Sequence, residues 1–197
     1  MTSLLLAVIY LSFISLGLPD SLLGSAWPTI YQQFQVPVSY AGILSAIIYF
    51  QLNAHVHGSA VGTIVSSLQC DRLIRRFSAG VITAVSVAAT ALALFGFSIS
   101  SSFWMLCLWA VPYGLGAGCV DAALNNYVAL HYASRHMSWL HCMWGVGASI
   151  GPVIMGLALT GGKGWTGGYR YIALLQTVLV VILALSLRLW AKPDQQS

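Results

Sequence analysis

The sequence predicts an all-α membrane protein built from six transmembrane helices. Of its 197 residues, 58% are hydrophobic and 6% are charged, and its mean hydropathy is +0.83. A soluble domain carries about 25% charged residues, and a disordered chain combines low hydrophobicity with high charge. The composition therefore excludes both classes. The positive charges behind the net charge of +4 lie between the apolar segments or at the C-terminal end of the last one, so they do not indicate a nucleic-acid partner.

Six apolar segments are long enough, or nearly long enough, to cross a bilayer, which takes about 20 helical residues. Helices are expected rather than strands because lipid-exposed backbone must satisfy its own hydrogen bonds. Short polar segments separate the six, so consecutive helices run antiparallel. In chain order the predicted spans are residues 4–30, 41–68, 79–98, 103–130, 139–159 and 171–189.

The second segment is longer than one span because it contains a polar stretch, residues 51–59. Without this stretch, the two apolar parts together have the length of one ordinary span. His55 and His57 lie within it and would suit a metal or proton site. Because His-x-His alone is a weak metal signal, we predict instead a bulge, an insertion or a pair of half-helices.

The six spans form one predicted domain, residues 1–190, in contact with the lipid bilayer. Residues 191–197 are expected to be the start of a cytoplasmic central loop or a truncated tail. Lys and Arg concentrate in cytoplasmic loops. With the N-terminus inside, six of the eight lie on the inner side, and only Lys163 and Arg170 lie outside. We therefore expect both termini to be cytoplasmic, with the protein in the plasma membrane.

An internal repeat links the first and fourth spans. Residues 17–23 and 118–124 share Gly, Asp and Leu at the same offsets. Three spans separate the two copies, so the copies run in opposite directions, as in a 3+3 inverted repeat. The repeat places one carboxylate in each span, Asp20 and Asp121. A charge at the bilayer centre costs about 2.5–3.5 kcal/mol on insertion scales, so we predict that both acids serve proton coupling or substrate binding. The alternative is a structural role in interhelical hydrogen bonds.

Other residues in the spans are candidates for a substrate cavity or for close helix packing. Polar and amphipathic side chains suit contacts with a sugar-like solute, although interhelical hydrogen bonding explains them equally well. Small residues let helix backbones approach each other. We expect no cofactor and no metal site. The cavity candidates are Trp27, Asn125, Asn126, His141 and Trp144, and the packing candidates are Gly114, Gly118, Gly147, Gly151 and Pro152.

A short charged run follows the second span on the predicted cytoplasmic side. Asp71, Arg72, Arg75 and Arg76 could form interhelical charge pairs that hold one conformation and act as a conformational gate. Anchoring by positive charge on the inner side explains the three arginines equally well.

Residues 147–151 match the Gly-x-Ser-x-Gly pattern of hydrolases around Ser149. That motif requires a strand, a turn and a helix, whereas these residues lie inside a predicted membrane helix. His141 on the same helix is too distant to act as the base. An intramembrane serine hydrolase is therefore the third and weakest hypothesis.

Several of these motifs resemble the major facilitator superfamily. The run at 71–76 is similar to that family's Asp-Arg-x-Gly-Arg-Arg loop motif, with Ile74 in place of the glycine and Ser67 in place of an earlier one. Gly147, Gly151 and Pro152 resemble part of its fifth-helix motif. The resemblance implies a twelve-helix carrier in two six-helix halves, of which this chain corresponds to the N-terminal half.

Within the superfamily, the acids resemble the fucose permease branch. Asp20 in the first helix and Gly-x-Gly-x-x-Asp at 116–121, followed by Asn125, match the pattern of that branch. There the two acids are implicated in proton coupling and sugar recognition. The resemblance implies transport of a small solute, such as a sugar, with protons, by alternating access. The partner would be a second six-helix half or a second copy of the chain. The alternative is a truncated or partner six-helix module without transport of its own.

Overall fold

The computed structural model describes residues 2–53 and 77–190, which form helices joined by short turns, so the all-α fold class is confirmed. The first predicted span comprises two helices. One helix covers the described part of the second predicted span, and one helix forms each of the remaining four. They are α1 (Thr2–Asp20), α2 (Leu22–Phe34), α3 (Tyr40–Asn53), α4 (Ala79–Ser98), α5 (Phe103–His131), α6 (Ser134–Thr160) and α7 (Gly164–Ser186), and α7 is followed by a 3-10 turn at Leu187–Leu189.

The helix of the first span is interrupted at Ser21, between α1 and α2, and we call this interruption the bend. Pro19 lies inside the last turn of α1, and Ser21 separates the two helices in a turn conformation. Proline lacks the backbone N–H that would continue the helical ladder, and its ring pushes against the preceding turn. The bend therefore falls beside Asp20, the one charged residue of the segment that runs over Leu4–Phe34.

Two helices begin earlier than hydropathy predicted. The fifth span was predicted from residue 139 and the sixth from residue 171, but α6 begins at Ser134 and α7 at Gly164. The early turns contain polar residues that hydropathy assigned to loops. A helix satisfies its own backbone whether or not lipid surrounds it, so it can continue past the apolar window.

Several contacts between the spans correspond when the first three spans are exchanged with the last three, although the contact of α6 with α7 has no comparable counterpart among the described residues. The first span packs against α6 while α3 packs against α5, and α4 packs against both α5 and α7. The first span also contacts α7, which is the counterpart of the contact between α4 and α5. This is the pattern expected of a 3+3 inverted repeat.

Glycines hold α1 and α6 close together. A Cβ atom added at Gly17 would lie 2.9 Å from the Ala148 nitrogen, and one at Gly147 would lie 2.9 Å from the Ile14 carbonyl carbon. A Cβ at Gly151 would lie 2.5 Å from Ser21 Oγ. These distances are below van der Waals contact, so the two backbones touch along about two turns of each helix.

The remaining packing candidates lie on α5 and α6. Gly114 is buried, whereas Gly118 and Pro152 are half-buried. Gly116, which is not among the predicted packing residues, faces α4, where an added Cβ would lie 2.8 Å from Thr90 Cγ2 and 2.9 Å from the Ser86 oxygen.

Candidate functional site

Asp20 lies at the bend of the first span, with both carboxylate oxygens hydrogen-bonded. The Tyr113 hydroxyl on α5 donates to Oδ1 at 2.8 Å. Trp144 Nε1 on α6 donates to Oδ2 at 2.9 Å. The side chain is half-buried. Three spans therefore meet at one carboxylate.

Both donors to Asp20 are neutral side chains. A Lys or Arg partner would stabilise the ionised carboxylate strongly and hold it in that state. Neutral donors orient the carboxylate without fixing its charge. The arrangement is therefore chemically suited to a group that gains and loses a proton.

A cavity of about 420 Å³ opens beside Asp20. Its volume is in the range of small-molecule sites, about 300–1,000 Å³. The wall is mostly apolar and aromatic, with polar atoms at the bend. The lining residues are Pro19, Asp20, Ser21, Leu23, Gly24, Trp27, Pro28, Ala41, Leu44, Ser45, Ile48, Leu94, Phe97, Tyr113 and Tyr169.

Asp121 lies on α5, eight residues after Tyr113, which corresponds to about 12 Å along the helix. Asn125 Nδ2 donates to Asp121 Oδ1 at 3.0 Å. Asn125 Oδ1 is buried and accepts no hydrogen bond from the part of the chain that the structure describes. The two acids therefore have different hydrogen-bond partners.

The chain matches the family model of the Major Facilitator Superfamily over residues 9–197. The chain belongs to the major facilitator superfamily. A search of the curated proteins found no match. Members of this superfamily are in general secondary transporters and not enzymes. The chain is therefore a multi-pass membrane protein of a family that moves small solutes across membranes, and the predicted superfamily is confirmed.

The predicted cavity residues of this superfamily member lie in different surroundings. Trp27 lines the cavity and donates from Nε1 to the Val38 oxygen at 2.9 Å. Trp144 is exposed and holds Asp20. Asn126 and His141 are exposed, and the His141 ring meets Phe13 edge-on at 6.0 Å. Their roles as substrate contacts stay predictions.

Two predicted features of the superfamily member lie outside the described residues. The gate residues Asp71, Arg72, Arg75 and Arg76 are among them. So is the polar stretch 51–59 from residue 54 onward, including His55 and His57. Both hypotheses stay predictions.

Ser149 lies inside a regular helix, and its hydroxyl is not arranged as that of a catalytic nucleophile. Its Oγ donates to the Gly145 carbonyl at 2.9 Å, one turn earlier in α6. This back-bonding is common for serine in membrane helices. Together with membership of a transporter superfamily, it leaves nothing in support of the hydrolase hypothesis.

Tyr113, which donates to Asp20, was not among the predicted site residues. Tyr113 follows Pro112 in the middle of the fourth span. A tyrosine hydroxyl in an apolar environment needs a hydrogen-bond partner, and this rule could have identified it as a candidate. The identity of that partner depends on how the helices pack.

Proposed function

We propose that this chain transports a small polar solute, a sugar or a related metabolite, together with protons and by alternating access. The observation that carries the proposal is the Asp20 carboxylate, which borders a cavity at a helix bend and has two neutral donors. Broken helices at mid-membrane form the binding sites of many secondary transporters. Asp121 is proposed as the second proton-coupling or substrate-binding acid, as in the fucose permease branch.

Asp20 can take up a proton without losing either partner. Trp144 Nε1 can only donate, whereas the Tyr113 hydroxyl can donate or accept. A proton on Oδ1 would therefore donate to the Tyr113 oxygen, while Oδ2 continues to accept from Trp144. Because the carboxyl group stays hydrogen-bonded in both states, neither state leaves it buried and unpaired.

The cavity wall supports a sugar-like substrate. Trp27, Phe97, Tyr113 and Tyr169 contribute aromatic surfaces, and Asp20 contributes a hydrogen-bond acceptor. Aromatic rings pack against the C–H faces of a small polar solute, while a few polar groups fix its orientation.

The exposed surface of α6 favours a second six-helix body packed against this helix. Of the most apolar 18 residues of α6, 22% are buried, against 61% for α4. Trp144, His141 and Ser149 are exposed on α6, and polar groups are costly against lipid. We propose that a second half, or a second copy of the chain, covers this surface in the transporter. A partner module without transport is the rival function.

Uptake into liposomes tests the proposed function. The purified chain is reconstituted with a pH gradient, alkaline inside, and offered a panel of labelled sugars, with the oligomeric state measured in parallel. We expect saturable accumulation that a protonophore abolishes, because the gradient supplies the driving force. Accumulation that resists the protonophore would contradict proton coupling. If neither monomeric nor dimeric preparations take up any of the labelled sugars, the partner module without transport would be favoured.

Cysteine labelling in sealed cells tests the proposed orientation. In a cysteine-free background, Gln35→Cys in the turn between α2 and α3 should react with an impermeant maleimide. Ser134→Cys, at the start of α6, should react only after the membrane is opened. Both positions are exposed in the structure, so a difference reports sidedness. Labelling of Ser134→Cys from outside would contradict cytoplasmic termini.

A further inference from the structure

The bend at Pro19 leaves one backbone carbonyl without its helical donor. In a regular helix, the Ser15 oxygen would accept from the N–H of residue 19, which proline lacks. An unpaired carbonyl inside the bilayer is costly, and neighbouring helices usually supply a replacement donor. Here Gln176 Nε2 on α7 donates to the Ser15 oxygen at 3.0 Å.

The Gln176 side chain is itself held in place. The Thr90 hydroxyl on α4 lies 2.8 Å from Gln176 Oε1 and donates to it. Gln176 is 2% exposed and Thr90 is 1% exposed. Because the Ser15 oxygen can only accept, the amide nitrogen faces Ser15 and the amide oxygen faces Thr90. A buried chain of hydrogen bonds thus connects α4, α7 and α1.

We propose that Gln176 is a positioning residue for Asp20. By replacing the missing helical donor at Ser15, it fixes the bend of the first span and keeps the Asp20 carboxylate on Tyr113 and Trp144. Ser15 precedes Asp20 by five residues, about 7.5 Å along α1, so a change in the bend moves the carboxylate directly. The functional importance of Asp20 rests on the proposed function, whereas the structural role of Gln176 does not.

The test is a double-mutant cycle on thermal stability, measured on the purified chain in detergent. Gln176→Met keeps the side-chain length but removes both hydrogen bonds of the side-chain amide. We expect it to lower Tm by about 2–6 °C in the natural background. In a Pro19→Ala background, residue 19 again supplies an N–H to Ser15, so the same substitution should cost less than half as much. When Gln176 is replaced, the Thr90 hydroxyl can donate instead to the Val87 oxygen, 2.9 Å away, in both backgrounds.

Gln33→Met is the matched control. Gln33 Oε1 accepts from Trp165 Nε1 at 2.8 Å, joining α2 to the start of α7, away from the bend. Its effect on Tm should be the same in the natural background and in the Pro19→Ala background. An equal Tm loss for Gln176→Met in the two backgrounds would overturn the proposed link with Pro19.

A distance measurement separates positioning from general stabilisation. Spin labels at Leu4→Cys and Gln35→Cys, in a cysteine-free chain, report the bend between the two ends of the first span. Gln176→Met should shift or broaden the distance distribution, and Gln33→Met, beyond the bend, should leave it unchanged. An unchanged distribution in Gln176→Met would overturn the positioning role. Neither measurement requires uptake, so failure of the transport proposal is recognised separately.

Discussion

Asp20→Asn is expected to reduce proton-driven uptake to the background of protein-free vesicles. Asparagine keeps the size of the side chain, and its oxygen can still accept from Tyr113, but it cannot carry a proton between the two sides. Its amide nitrogen cannot accept from Trp144, so one hydrogen bond is lost, worth about 1 kcal/mol. The chain should therefore still insert and fold. The measurement is uptake under an imposed pH gradient, normalised to inserted protein.

Exchange of labelled for unlabelled solute, without a gradient, distinguishes the two proposed roles of Asp20. If Asp20 only carries the proton, exchange should continue in the variant, because exchange moves no net proton. If Asp20 binds the substrate, exchange should also be lost. Tyr113→Phe is the matched partial variant, since it removes the donor to Oδ1 and keeps the ring. It should impair gradient-driven uptake less than Asp20→Asn does. Full uptake with normal pH dependence in Asp20→Asn would reduce this carboxylate to a structural acid.

Asp121→Asn belongs in the same experiment. Asn125 can still donate to the remaining side-chain oxygen, so its local hydrogen bond is preserved. Loss of uptake in both variants would support two coupled acids, as the inverted repeat suggests. Loss in Asp20→Asn alone would assign the proton to the acid at the bend.

Gly147→Ala is expected to destabilise the protein by about 1–3 kcal/mol, the usual cost of overpacking. The added methyl group would meet the Ile14 carbonyl, a backbone group that cannot rotate away. Relief of the clash requires α1 and α6 to separate, which also moves Trp144 relative to Asp20. Thermal unfolding in detergent and the yield of monodisperse protein measure the effect.

Gly145→Ala provides the control for Gly147→Ala on the same helix. A Cβ at Gly145 meets nothing within 4 Å. Alanine inside a helix is favoured over glycine by about 0.5–1 kcal/mol, so Gly145→Ala should be neutral or stabilising. The two substitutions add the same atom two residues apart and are expected to have opposite signs. Equal effects would contradict close packing of α1 against α6.

The fold class follows from features that are local in the sequence. Apolar segments of span length and a charge content of 6% leave helices as the simplest way to satisfy the backbone in lipid. The two acids could also be found without a structure, because a carboxylate inside a span is costly wherever it faces. Pro19 beside Asp20 is likewise a local signal of an irregular helix at that point.

The partners of Asp20 could not be derived in this way. Tyr113 and Trp144 are 93 and 124 residues away in the chain. In a soluble protein, an apolar stripe shows which face of a helix meets its neighbour. Lipid is as apolar as the protein interior, so an apolar residue on a membrane helix does not show which face meets a neighbouring helix.

The sequence by itself therefore determined the architecture and the acids, because burial of charge and of unpaired backbone is costly at each position separately. Only the tertiary structure decided what surrounds those acids. Packing of backbones at Gly17 and Gly147 brings Trp144 to Asp20. Packing of α7 brings Gln176 to the carbonyl that Pro19 leaves free. These contacts depend on shape and hydrogen bonding between segments that are distant in the sequence. They therefore cannot be derived from a local sequence pattern and become visible only in the fold.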